Sequence, residues 1–132
     1  MHWREAARNL NVKAIDIDEM LTDKDEDYAL YNFLFLCRQL FAESIRNRDD
    51  DRVNEVVEFV ALCLRQEVET DGKDCQIAAG ASFAEHLFDD VREDEYAIVY
   101  ERVGPDFYLL CRSWLKRSLD PDQFSVVDSL SA

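Results

Sequence analysis

The chain has 132 residues, of which 29 are Asp or Glu and 15 Lys or Arg, for a net charge of −14 at pH 7. A field of that sign repels phosphate backbones and anionic headgroups, so binding to nucleic acid or to a membrane surface is not expected. Apolar residues make up 48% of the chain, too many for charge-driven disorder, while three Gly and two Pro are too few for the repeated reversals of a β-sheet protein.

Residues 1–25 read as an N-terminal arm, with a short helix from Trp3 to Leu10 and a helical turn over Ala14–Leu21. From Asp27 the pattern strengthens. Leu30, Phe33, Leu34, Cys37, Leu40, Phe41 and Ile45 recur at helical spacing behind acids that suit a helix N-terminus. Tyr31, Phe35 and Leu36 widen the apolar surface, which places this helix centrally, with neighbours on two sides. Arg46 and Arg48 suit the negative end of its dipole, and residues 47–51 form a turn.

A second long helix is predicted over 51–69, with Val53, Val56, Val57, Val60 and Leu64 inward and Glu55 and Glu58 outward. Gly72 is its expected C-terminal breaker, and the short connection makes the two helices an αα-hairpin. A third helix is expected over 74–91. Gly80 in its interior costs about 1 kcal/mol relative to Ala, so it predicts a close helix crossing. Residues 93–103 mix β-propensity with an acidic start and are read as a short helix. Gly104 and Pro105 open a last helix that Asp120 and Pro121 stop, leaving 120–132 as a C-terminal tail whose apolar residues dock on the body. The expected fold is all-α: one domain, an antiparallel helical bundle or short helical-hairpin stack of about five to six helices.

No apolar run approaches the roughly 18 residues of a membrane span, and the first residues lack a secretory layout, so a cytoplasmic protein is expected. Cys37, Cys63, Cys75 and Cys111 stand 26, 12 and 36 residues apart with no CxxC pair. They read as buried reduced thiols, not as a zinc site or a disulfide framework. Asp23, Asp25 and Asp27 imitate the start of a calcium loop. Tyr28 stands where that loop needs Gly, however, and Leu34 where it needs a bidentate Glu. His86 shares a helix with Glu85, Asp89 and Asp90, but a catalytic zinc or di-iron site needs further histidines or repeated Glu-x-x-His pairs. No nucleophile elbow, phosphate loop or dinucleotide fingerprint occurs, so no enzyme activity, metal or cofactor is expected.

The acids cluster. Residues 16–27 carry seven against Lys24, residues 49–74 nine against three bases, and residues 85–106 eight against two. Each cluster serves solubility, and together they predict a docking face for a basic protein, with Asp49, Asp50, Asp51, Glu55, Glu58, Glu85, Asp89 and Asp90 as candidate contacts.

Three segments in order, RDDDRVNEVVEFVALCL, AAGASFAEHL and VGPDFYLLCRSWL, resemble a loose group of uncharacterised helical bacterial domains that includes immunity-type proteins which neutralise toxins. The resemblance spans about residues 28–118 and implies a non-enzymatic helical domain that caps a toxin's active surface, with no functional residues carried over. The leading expectation is thus an acidic protein-binding module, an immunity protein acting on a basic toxin. Two alternatives stand beside it: a structural or regulatory adaptor acting through homodimerisation, and a metal-dependent enzyme using His86 and nearby acids.

Overall fold

The computed structural model describes residues 1–9, 26–70, 74–89 and 91–131, all helices, turns and connections. Seven α-helices follow one another among these residues: α1 Trp3–Asn9, α2 Glu26–Arg46, α3 Asp50–Leu64, α4 Cys75–Ser82, α5 Tyr96–Val103, α6 Pro105–Ser118 and α7 Pro121–Asp128. Single 3₁₀ turns occupy Ala84–His86, Glu93–Glu95 and Ser129–Ser131. The all-helical expectation holds, with seven helices where five to six were expected. The added helix is α7. Asp120 and Pro121, which end α6, also begin the next helix: the Asp120 carboxylate accepts from the Gln123 amide at 2.8 Å and proline occupies the first turn.

The hairpin of α2 and α3 forms as the pattern predicts, with Asp49 capping α3 by accepting from the Arg52 amide. The central element is α3, which packs against α1, α2, α4, α5 and α6, while α2 packs on α3 and α4. Val53, Val56, Phe59, Val60, Cys63 and Leu64 of α3 are all buried. The helix ends at Leu64, five residues before the expected boundary. Gln66 turns left-handed at φ 60°, Glu67 N–H donates to the Leu62 carbonyl at 2.9 Å, and the Gln76 side chain donates to the Leu64 carbonyl at 2.9 Å. Gly72 lies outside the described residues.

The third predicted helix stops at Ser82 instead of continuing to 91. Phe83 leaves helical geometry at φ −127°, ψ −59° and is fully buried, its ring edge-on to Phe41 (5.3 Å) and Phe107 (6.1 Å). Burial of that aromatic between α2 and α6 outweighs the local preference to continue the helix. Gly80 marks the expected close crossing, because a Cβ there would overlap the indole of Trp114 on α6. Residues 93–103 form a 3₁₀ turn and α5, with no strand.

At the N-terminus, Trp3 is fully buried against Phe33 at 5.9 Å, and Phe33 in turn meets Phe59 edge-on at 5.0 Å. The Trp3 amide donates to the Glu69 carbonyl at 2.9 Å and the Glu69 amide to the Met1 carbonyl at 3.0 Å, pinning the chain start beside the segment after α3. Residues 10–25 lie outside the described set, and with them the predicted turn over 14–21 and the start of the calcium-like run.

Candidate functional site

The α2–α3 turn and the first turns of α3 hold the densest group of predicted contact residues. Asp49 is committed to its own helix, as cap and as an ion pair with Arg52 at 3.4 Å. Asp50 points across to α5 and pairs with Arg102. Asp51, Glu55 and Glu58 follow at spacings of four and three and so form one stripe opposite the buried valines. Asp51 and Glu58 are exposed and Glu55 half-buried, and none of the three is ion-paired to a described residue. Leu62 and Arg65 continue the stripe toward the end of the helix.

Glu85, His86 and Asp89 sit elsewhere, beside the C-terminal end of α6. Ser118 Oγ donates to the Glu85 carbonyl at 3.2 Å, the Glu85 carboxylate lies 4.0 Å from Arg117, and His86 Nδ1 is 2.5 Å from Asp89 Oδ2. Arg102, the partner of Asp50, lies just before the start of α6. The 14 residues of α6 put the two groups on the order of 20 Å apart. The candidate contacts therefore fall on two separate patches, and only the α3 patch carries a run of unpaired carboxylates. Asp90 lies outside the described residues.

Among the described residues, no group of three or more His, Cys, Asp or Glu side chains is arranged to hold a metal ion. His86 is half-exposed with Asp89 as its one described side-chain partner. All four cysteines are buried and none is in a disulfide. Burial pushes the Cys37 and Cys111 thiols up, and a hydrogen bond with Cys75 together with burial does the same to Cys63. Thiols held protonated in this way serve as small core side chains, since nucleophilic and metal-binding cysteines act as thiolates.

Sequence reasoning missed a polar clasp between α6 and α7. Arg112 grips Asp128 with both ends of its fork, at 2.9 and 3.0 Å, while Tyr108 O–H donates to the same carboxylate at 2.8 Å. The Arg112 guanidinium also lies 5.4 Å from the Phe124 ring centre, and Val127 beside the clasp is fully buried. The four-residue spacing of Tyr108 and Arg112 put them on one face, but nothing local linked them to an acid 16 residues away. The Arg112 and Tyr108 hydrogen bonds hold the Asp128 carboxyl below its usual range, and burial with the Asp128 contact raises the Tyr108 hydroxyl. A depressed carboxylate contributes stability that is full above the unfolded value near 3.9 and is lost as pH falls through the folded one. Docking of α7 should therefore weaken below about pH 4. Asp128→Asn should reproduce that weakening at neutral pH, seen as faster hydrogen exchange over Phe124–Asp128 with little change in α3. Unchanged protection in the variant would show that Val127 and Phe124 hold the helix without the clasp.

No described helix is long and apolar enough to cross a membrane. Comparisons with protein-family models, curated proteins and solved structures find no match to this chain.

Proposed function

We propose that this chain is a non-catalytic protein-binding module of the cytoplasm whose α3 surface docks a basic protein, as an immunity protein docks a basic toxin. The observation that carries this reading is the stripe of Asp51, Glu55 and Glu58, unpaired among the described residues, on a chain of net charge −14. Five described arginines, Arg52, Arg92, Arg102, Arg112 and Arg117, already sit against carboxylates, so acids left unpaired on a regular helix stand available to an outside partner. Such a surface accelerates encounter with a positive one and loses that advantage as salt rises. The stripe lies on the central helix, whose buried face is fixed by five neighbouring helices, so it meets a partner as a rigid edge. Affinity capture at low salt should retain a basic protein on the wild-type chain, and charge reversal of Asp51, Glu55 and Glu58 to Lys should release it. Retention undiminished by the reversal would remove the basis for this docking face.

A further inference from the structure

Between the end of α2 and the outer face of α5 lies a groove of about 450 Å³, lined by Ile45, Arg46, Arg48, Val91, Glu95, Ile98, Glu101 and Arg102. Two of its guanidinium groups, like those of Arg38 and Arg65 elsewhere, have no ion pair among the described residues. The other groove cation, Arg102, pairs with Asp50, and Arg92 neutralises Glu95 at 3.0 Å. Arg46 and Arg48 have no carboxylate within ion-pair distance among the described residues, in a chain where acids outnumber bases almost twofold. They are not needed to cap α2 either. The Asn47, Arg48 and Asp49 amides already donate to the Glu43, Ile45 and Ser44 carbonyls at 2.9, 3.3 and 2.9 Å.

The backbone fixes where Arg48 sits. Arg48 sits at φ 56°, the left-handed position after a helix end where Gly or Asn is the residue of least strain. Gln66 takes the same conformation after α3 at φ 60°, so this geometry ends a helix, and at the end of α2 it sets Arg48 beside the groove. Beside the two guanidiniums, Ile45 and Val91 are half-buried and Ile98 exposed, which supplies an apolar wall. The volume lies in the range of small-molecule sites, about 300–1,000 Å³.

We infer that this groove binds a small organic phosphomonoester, with Arg46 and Arg48 on the phosphate oxygens and the organic body against Ile45, Val91 and Ile98. Two guanidiniums match the two charges of a phosphate dianion and offer the paired donors it accepts. Glu101, the one groove acid with no ion-pair partner among the described residues, offsets part of the positive field and leaves the two arginines a net positive balance. This inference is independent of the α3 docking face. Glu101 and Arg102 also line the adjoining hollow with Asp50, Val53 and Asn54, which extends the groove away from the arginines toward α3.

The test is calorimetric titration of the full chain with phenyl phosphate, inorganic phosphate and phenylsuccinate at neutral pH. Phenyl phosphate should bind saturably at one site, at least about tenfold tighter than inorganic phosphate, because only it uses the apolar wall. Arg48→Gly, which relieves the left-handed strain and so keeps the fold, and Arg46→Gln should each weaken phenyl phosphate by about tenfold or more, while Arg65→Gln leaves it unchanged. No saturable binding of phenyl phosphate, or binding equal in wild type, Arg46→Gln and Arg48→Gly, would overturn the site. Phenylsuccinate binding tighter than phenyl phosphate would overturn the phosphate assignment, and equal affinity for inorganic phosphate would overturn the apolar wall.

Discussion

Replacing Trp3 by alanine should destabilise the protein by about 3–5 kcal/mol, the range for deleting a large aromatic from a packed core. The helix that carries it, α1, has seven residues and is far too short to persist in water by itself. It exists because Trp3, Ala6 and Ala7 are buried, with Trp3 set against Phe33 and through it against Phe59. A fully buried Trp removes roughly 150–250 Å² from water, worth about 4–6 kcal/mol at 25 cal/mol per Å², so the transfer estimate and the mutational range agree. The loss has an upper bound. Once the cavity costs more than the docking of residues 1–9, the segment detaches, and Trp3→Ala should then match deletion of those residues. Chemical denaturation of the two variants gives both numbers. A wild-type midpoint in Trp3→Ala would mean that Trp3 is not seated on Phe33.

Gly80→Val should cost about 1–3 kcal/mol, through a collision and not through helix propensity. Valine is the better helix former, so on local grounds alone the change stabilises by a few tenths of a kcal/mol. The new Cβ, however, would lie on Cε2, Cζ2 and Cδ2 of Trp114, closer than van der Waals contact allows. Two relaxations are open: α4 and α6 separate, or the indole swings out. The second also forfeits the Arg117 guanidinium stacked 4.7 Å from the Trp114 ring centre. A double-mutant cycle isolates the collision. In a Trp114→Ala background, Gly80→Val should be close to neutral, and an undiminished cost there would place the clash elsewhere.

These two residues also show what the sequence disclosed. Gly80 stood in a run of small residues inside an apolar helix, and that alone predicted a close crossing; its partner, Trp114, lies 34 residues on and could be named only from the fold. The α2–α3 hairpin was legible because its apolar periodicity was long and its polar turn short. The break at Phe83 was not, since it depends on aromatic neighbours from α2 and α6 that no local window contains. Nor was α7, because Asp120 and Pro121 were read as a stop for one helix when the same chemistry starts another.

The candidate surface was legible in its composition and not in its geometry. Charge counting selected Asp49–Glu58 and Glu85–Asp90 as one face, yet Asp50 and Glu85 lie toward opposite ends of α6. Counting also treated every acid alike. In the structure Asp49 and Asp50 are spent on Arg52 and Arg102, which leaves Asp51, Glu55 and Glu58 as the available charges. Arg46 and Arg48 were read as partners of a helix dipole, and the groove they border is completed by residues 91–102, on the far side of two intervening helices.

The docking account rests on long-range attraction between the α3 stripe and a basic partner, and the salt dependence of association measures that attraction directly. With the captured partner purified, the association rate of the wild-type chain should fall by about tenfold or more between 50 and 300 mM salt, as expected of an electrostatically steered pair. The variant Asp51→Lys, Glu55→Lys, Glu58→Lys should associate slowly at both salt concentrations while keeping the wild-type helical content. A rate indifferent to salt, or a triple variant that associates as fast as wild type, would contradict the assignment of α3 as the docking surface.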